Sequence, residues 1–203
     1  TTTTSVVNTT ELVVTPLATS LLLDGSGSMG SGSGSKWEEA KAALPVLANA
    51  FNASMNNNTD GNKFSVSLIQ WATLMQVELN QTTDISSFQS AVDTMNPIGG
   101  GTYWGQALCR CYQELESGPN AITANKLCIL MSDGEISGQG IGDCTELNNA
   151  CSGSITTQTE AGDCLKNEMN YTIFGILVQD TADKAFEDVR ATSSCDPSNC
   201  VAY

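Results

Sequence analysis

The chain has 203 residues, 40% of them hydrophobic, which is enough for one sizeable core and predicts a single globular domain. Its formal net charge is −14 with only eight Lys and Arg residues, so nucleic acids and anionic membrane surfaces are poor partners. Histidine is absent, which removes the commonest general base and zinc ligand and argues against an enzyme.

The N-terminal part of the chain predicts an extended segment followed by the first strand and helix of a domain. Residues 1–17 are rich in Thr and Val and are expected to be extended, whereas residues 18–203 should form the domain itself. The apolar run 19–23 predicts a buried strand. A helix should begin after Ser35 and be kinked by Pro45. Its apolar face has residues at helical spacing: Trp37, Ala40, Leu44, Leu47 and Phe51.

The remainder of the chain alternates between apolar strand patterns and helical patterns. Residues 64–72 and 74–79 predict a tight hairpin, whose second strand is an antiparallel edge strand. Further strands are predicted at 126–131, 171–178 and 200–203, and further helices at 84–95, from Thr102 through Leu115, and at 181–191. This alternation predicts an α/β domain with a mostly parallel sheet. No apolar run reaches the roughly 20 residues that are needed to cross a bilayer.

Three smaller features complete the structural expectations. Residues 135–164 are rich in Gly, Thr, Ser and Cys, and we expect a surface insertion that is held by disulfides. Trp71 and Phe174 are predicted to lie in the core. Tyr103 and Trp104 have two interpretations, because aromatic residues at the start of a helix either pack inward or contact a partner.

The eight cysteines form an even set without a CxxC pair: Cys109, Cys111, Cys128, Cys144, Cys151, Cys164, Cys195 and Cys200. Four disulfides in a secreted protein are the favoured interpretation, and reduced buried thiols are the alternative. The short CDPSNC spacing predicts a bridge between Cys195 and Cys200. Asn-x-Ser/Thr sequons agree with secretion and mark candidate glycosylation sites at Asn8, Asn52, Asn57, Asn80 and Asn170.

Oxygen-bearing side chains follow three of the predicted elements. In the extended loop after the first strand, Asp24, Ser26 and Ser28 are two residues apart and can face the same point. Thr102 and Asp133 lie in other loops beside glycines. Hard cations prefer such oxygen ligands, so the pattern predicts a Mg²⁺ or Mn²⁺ site, which Ca²⁺ could also fill. The alternative is an ordinary turn, since Asp, Gly and Ser dominate turns in general.

At these residues the chain resembles the von Willebrand factor type A and integrin I domains. Asp24-Gly-Ser26-Gly-Ser28 is similar to the DxSxS sequence of the metal-ion-dependent adhesion site in that family, and Thr102 and Asp133 match its remaining positions. The resemblance implies a six-stranded, doubly wound sheet in the order 3-2-1-4-5-6, with one antiparallel edge strand and flanking helices. It also implies that Ser26, Ser28 and, in some members, Thr102 contact the metal directly, and that Asp24 and Asp133 act directly or through water.

The resemblance implies recognition of a protein partner through the bound cation, with an Asp or Glu of the partner completing the metal's ligands. We therefore expect an extracellular or cell-surface adhesion domain. The alternative is a structural subunit of a matrix, filament or surface appendage, which contacts copies of itself or other extracellular subunits. An enzyme is the least favoured class, because a metal-activated water would still need a general base.

Overall fold

The computed structural model describes residues 15–56, 63–134, 141–142 and 144–178. The strands are β1 (Leu17–Asp24), β2 (Phe64–Trp71), β3 (Met75–Thr82), β4 (Asn125–Ser132) and β5 (Thr172–Leu177). The helices are α1 (Lys36–Asn56), α2 (Ile85–Thr94), α3 (Trp104–Ser117), α4 (Thr145–Ala150) and α5 (Gln158–Asp163), with a 3-10 turn at Gly27–Met29 and a π-helical turn at Cys164–Glu168.

The strands form one sheet in the order β3-β2-β1-β4-β5, with β1 at its centre. β1 is parallel to both β2 and β4, and β5 is parallel to β4, whereas β3 is antiparallel to β2. The predicted α/β fold, with a mostly parallel sheet and one antiparallel strand, is therefore confirmed. The described residues contain five strands, and the predicted sixth strand at 200–203 and the helix at 181–191 lie outside them.

Each side of the sheet is covered by helices, because alternate residues of the buried strands face opposite sides. On β1, Leu21 and Leu23 pack with α1 and α2, while Ala18 and Leu22 pack with α3. All four residues are fully buried. This two-sided burial explains why β1 is a continuous apolar run rather than an alternating pattern.

Helix α1 continues through Pro45 as a single helix of 21 residues. Proline removes one backbone hydrogen bond within a helix. Trp37 and Leu44, which precede it, and Ala48, which follows it, are all buried against the sheet. The apolar contacts on both sides of Pro45 therefore favour one continuous helix in spite of this loss.

The sequence predicted that segment 135–164 is a surface insertion. Its described residues also contribute to the core. Its described residues include α4 and α5, and its apolar side chains pack with α3 in the core: Ile141, Leu147, Ile155 and Ala161. One disulfide, Cys109–Cys144, joins this segment to α3, and a second, Cys151–Cys164, lies within the segment. The few apolar residues are widely spaced in a Gly- and Thr-rich segment, so the sequence pattern did not predict their burial.

The prediction that Phe174 is a core residue is wrong. Its side chain is 55% exposed on β5, the outermost strand of the described sheet. A strand at the edge of a sheet has a neighbour on one side only, so the burial of its residues depends on what covers its faces. Trp71, on the interior strand β2, is fully buried, as predicted.

Candidate metal centre

Two loops meet at the carboxyl end of the sheet, where β1 and β4 are neighbours. Asp24 is the last residue of β1, Ser132 is the last residue of β4, and Asp133 follows it directly. The chain leaves β1 on one side of the sheet and β4 on the other, which makes this a topological switch point. Ligands of open α/β sheets bind at such points.

The loop after β1 is held in a defined shape by hydrogen bonds that its backbone N–H groups donate. The Gly25 N–H donates to Trp71 O at 2.7 Å, and the Ser26 N–H donates to Asp24 Oδ1 at 2.8 Å. A 3-10 turn follows, in which the Met29 N–H donates to Ser26 O at 3.2 Å. The Met29 side chain is fully buried and anchors the far end of the loop.

The hydroxyls of this loop link the two aspartates through short contacts. Ser26 Oγ and Ser28 Oγ are 3.0 Å apart, and the Ser28 hydroxyl donates to Asp133 Oδ1 at 3.1 Å. On the other side, the Ser132 hydroxyl donates to Asp24 Oδ2 at 2.5 Å. The structure therefore brings Asp24, Ser26, Ser28 and Asp133 into one cluster of oxygen atoms.

Thr102 lies in a third loop, which is attached to the first by backbone hydrogen bonds. The Gly27 N–H donates to Gly100 O at 3.0 Å, and the Gly99 N–H donates to Gly25 O at 2.8 Å. Thr102 follows two residues after Gly100 and is 2% exposed. Its loop is thus adjacent to the Asp24–Ser28 loop, as the family resemblance implies for a metal site.

Both aspartates are buried, although loop ligands are usually expected at the surface. Asp24 is fully buried and Asp133 is 2% exposed. Burial raises the pKa of Asp24 to about 6; hydrogen bonds from Ser132 and Ser26 oppose this change, and the nearby Asp133 carboxylate adds to it. A cation near these oxygens would therefore favour the ionised form of Asp24.

Sequence reasoning missed three residues that support these loops: Gln70, Ser132 and Lys36. The Gln70 side chain is fully buried, accepts from the Ile98 N–H at 2.6 Å and donates to Asn96 O at 2.8 Å. Lys36 Nζ lies 2.8 Å from Asp133 Oδ2. A large polar residue near the end of the apolar strand FSVSLIQW could have indicated that Gln70 has a structural role. No residue near Lys36 in the sequence indicated its pairing with Asp133.

The two aromatic residues beside Thr102 differ in their environment. Trp104 is 1% exposed and makes an edge-to-face contact with Trp71, with ring centroids 5.6 Å apart. Trp104 therefore packs inward. Tyr103 is half-buried, so its two interpretations stay open.

The donor set suits a hard cation, because it consists of carboxylate and hydroxyl oxygens around buried acidic groups. Only two of the five predicted ligands are carboxylates, and the described part of the chain contains no group of three or more His, Cys, Asp or Glu side chains that could hold a metal. An ion at this position would depend on the neutral hydroxyls and on ligands from water or a partner.

The cysteines of the described residues are paired in three disulfides: Cys109–Cys144, Cys111–Cys128 and Cys151–Cys164. Cys195 and Cys200 lie outside the described residues, so their bridge stays a prediction.

Of the candidate glycosylation sites, Asn80 and Asn170 are exposed and Asn52 is half-buried, whereas Asn8 and Asn57 lie outside the described ranges. No helix in those ranges is long and apolar enough to span a membrane.

The chain is similar to several solved structures. It resembles the three N-terminal domains of the type V pili tip protein Mfa5 from Porphyromonas gingivalis, with a TM-score of 0.68 and 13% identity over 89% of this chain and 45% of that one. It also resembles proximal thread matrix protein 1 from the mussel byssus, whose structure has zinc in its MIDAS motif, the metal-ion-dependent adhesion site. The TM-score is 0.65 and the identity 19%, over 89% of this chain and 42% of that one. The SpRpn10 VWA domain gives a TM-score of 0.62 and 19% identity over 89% and 84%.

At these identities the similarity shows the fold alone, and the chain spans less than half of the Mfa5 and thread matrix protein structures. A search of curated proteins finds no match. The model of the von Willebrand factor type A domain matches residues 20–203, which is most of the chain. The chain therefore belongs to the von Willebrand factor type A domain family.

Proposed function

We propose that this protein is an extracellular adhesion domain, which binds an acidic group of a partner protein through a divalent cation. The observation that carries the proposal is the oxygen cluster at the carboxyl ends of β1 and β4, in which Ser28 Oγ lies 3.0 Å from Ser26 Oγ and 3.1 Å from Asp133 Oδ1. Domains of this family are generally interaction modules rather than enzymes, and they often bind a divalent cation.

The residues have distinct roles in this proposal. Ser26, Ser28 and Thr102 supply neutral hydroxyl ligands, while Asp24 and Asp133 supply negative charge directly or through water. Bound Mg²⁺ or Mn²⁺ would supply a Lewis-acidic position that attracts an incoming carboxylate. Because the hydroxyls do not neutralise the ion, the attraction to an Asp or Glu of the partner stays strong.

Three observations support an extracellular location. Three disulfides join the described cysteines, and disulfides persist mainly in oxidising compartments. Asn80 and Asn170 are exposed within their sequons, so both are accessible to glycosylation. The similar structures include a pilus tip protein and a byssus matrix protein, which is consistent with a role outside the cell.

The second candidate is a structural subunit of a matrix, filament or surface appendage. The structural similarity to the mussel proximal thread matrix protein favours it. In that case contacts with copies of this chain or with other subunits would rest on buried apolar area and strand pairing. Such contacts would not require a cation.

The two candidates are separated by measuring retention of the native neighbours, or of assembled material, on immobilised protein. We compare untreated protein, protein in EDTA, and a Ser26→Ala/Ser28→Ala variant. The control is Ser31→Ala/Ser33→Ala, which changes two exposed serines of the next loop in the same way. A further arm offers a carboxylate ligand and its amide analogue, because the amide loses most of the Coulomb attraction to the cation.

Metal-dependent adhesion predicts that retention is lost in EDTA and in the Ser26→Ala/Ser28→Ala variant, and that it persists in the control. The amide analogue should fail to bind. Full retention in both treatments would reject this function and support the structural subunit.

A further inference from the structure

Lys36 places a positive charge inside the candidate metal centre. Its Nζ lies 2.8 Å from Asp133 Oδ2, while Asp133 Oδ1 accepts from the Ser28 hydroxyl at 3.1 Å. The side chain of Asp133 is completely buried, and that of Lys36 is 18% exposed. Both oxygens of this carboxylate are therefore engaged, one by an ammonium group and the other by a hydroxyl of the Asp24–Ser28 loop.

We propose that Lys36 is a tethered competitor of the divalent cation, which neutralises Asp133 when no ion is bound and swings away from it when an ion binds. The proposal rests on the function proposed above and adds a residue that sets its ion affinity. An ammonium group and a divalent ion beside the same carboxylate repel each other, and the repulsion is strong where water is largely excluded.

The position of Lys36 in the fold makes its displacement easy. It is the first residue of α1, where the positive end of the helix dipole disfavours a cation, so the contact with Asp133 is what offsets that unfavourable position. The preceding residues Gly30, Ser31, Gly32, Ser33 and Gly34 are exposed, which leaves solvent beside the helix start. Glu39, three residues later in the first turn, offers an alternative charged partner.

The contact with Lys36 also explains how Asp24 and Asp133 can both be buried close together, because its positive charge compensates that of Asp133. Without an ion, the ammonium compensates Asp133, and Asp24 retains hydrogen bonds from Ser132 and Ser26. The expected cost of this arrangement is a weaker affinity for the ion, since the Lys36–Asp133 pair has to be broken. Ion binding should also expose the Lys36 amine to solvent.

The first test compares the Mg²⁺ affinities of Lys36→Gln and Lys41→Gln by titration calorimetry. Lys41 is the matched control, because it lies on the same helix and its Nζ donates to Met95 O at 2.8 Å, away from the cluster. Both variants lose one positive charge, so any general effect of net charge is shared. We expect Lys36→Gln to bind Mg²⁺ about tenfold more tightly, a typical size for such coupling between two sites, and Lys41→Gln to resemble the unmodified protein.

The second test uses the unmodified protein and does not depend on the folding of any variant. Acetylation of lysines is followed by mass spectrometry at rising Mg²⁺ concentration. Lys36 should be protected without the ion and should become several-fold more reactive as the ion binds, whereas the reactivity of Lys41 should stay constant.

The outcomes separate this inference from the proposed function. If the unmodified protein binds Mg²⁺ but Lys36→Gln binds no more tightly, or Lys36 reactivity does not change, the competitor role is overturned and the metal-dependent function stands. If folded protein and both variants fail to bind Mg²⁺ or Mn²⁺, both proposals are overturned. Tighter binding by Lys36→Gln together with ion-dependent exposure of Lys36 supports the competitor role.

Discussion

The two glycines of the Asp24–Ser28 loop have different structural requirements, although the sequence presents them as equivalent. A Cβ at Gly25 would lie 2.3 Å from Gln70 Oε1, which is the atom that accepts from the Ile98 N–H. A Cβ at Gly27 would meet nothing closer than Gly100 O, at 3.7 Å, which is an ordinary contact. Only the first glycine is therefore required by packing.

We expect Gly25→Ala to lower the free energy of unfolding by about 1–3 kcal/mol, as other overpacked sites do. It should also weaken ion binding, because the displaced Gln70 no longer positions the loop that leads to Thr102. Gly27→Ala in the same loop is the control and should cost less than about 1 kcal/mol. Urea unfolding midpoints measure both variants, and equal effects would contradict the role of Gln70.

Asp84 determines how α2 begins. It precedes the helix and accepts from the Ser86 N–H at 2.9 Å and the Ser87 hydroxyl at 2.6 Å. The Ser86 hydroxyl, which donates to Asp84 Oδ1 at 2.5 Å, contributes most to the shift, and together with the other bonds from Ser86 and Ser87 it lowers the pKa of Asp84 from 3.8 to about 2. Because the pKa is lower in the folded protein, this group stabilises the fold above pH 4 or so, and the contribution is lost as the pH falls through about 2.

Asp84→Asn should therefore reduce the melting temperature at pH 7 and have a smaller effect near pH 2, since asparagine still caps a helix but does not ionise. The measurement is the difference in melting temperature between the variant and the unmodified protein across this range. Asp93→Asn on the same helix is the control. A difference that is independent of pH would show that the charge of Asp84 does not matter.

Helix α3 connects the sheet to the segment that follows β4. Cys109 is bonded to Cys144 in that segment, whereas Cys111, two residues later, is bonded to Cys128 on β4. Gly105, one turn earlier, faces Ile141, and a Cβ there would lie 2.5 Å from Ile141 Cγ2. The helix therefore approaches this segment closely at its N-terminal end and is bonded to it one turn later.

Gly105→Ala tests this close contact. Alanine is favoured over glycine within a helix by about 1 kcal/mol, yet we expect the substitution to destabilise the protein by about 1–3 kcal/mol because of the clash. In an Ile141→Ala background the same change should cost less, since the contact with Cγ2 is gone, whereas the contacts with Cα and Cβ at 3.0 and 3.1 Å remain. A gain in stability in the unmodified background would contradict the packing of α3 on Ile141.

The charge of the whole molecule affects how ion binding is measured. With a net charge of −14, added salt of any kind reduces repulsion within the chain and can stabilise it. A specific site adds stability by mass action on top of this general effect. NaCl at matched ionic strength is therefore the necessary reference.

At a Mg²⁺ concentration about 100 times its dissociation constant, the site should add about 2.7 kcal/mol of stability. For a protein of this size, we expect this to raise the melting temperature by roughly 5–10 °C relative to NaCl. The Ser26→Ala/Ser28→Ala variant should lose the difference between the two salts. Equal melting temperatures in MgCl₂ and NaCl would remove the evidence for a site that stabilises the fold.

Much of this protein was determined by local sequence. The apolar run before Asp24 specified a strand buried on both faces, and the close spacing of Asp24, Ser26 and Ser28 keeps their oxygen atoms together, although Ser28 lies in a 3-10 turn and not in the extended loop that the spacing had predicted. The parallel sheet followed from the alternation of strands and helices. These features depend on residues that are close in the chain.

Contacts between distant residues were decided only by the tertiary structure. Lys36 and Asp133 are 97 positions apart, and their pairing depends on how α1 and β4 are placed around β1. The disulfide partners of Cys109 and Cys111, the close approach of Gln70 to Gly25, and the exposure of Phe174 on β5 have the same origin. Sequence periodicity describes which face of one element is apolar, but which side chains meet across elements depends on the order and register of the strands, because these bring distant residues together.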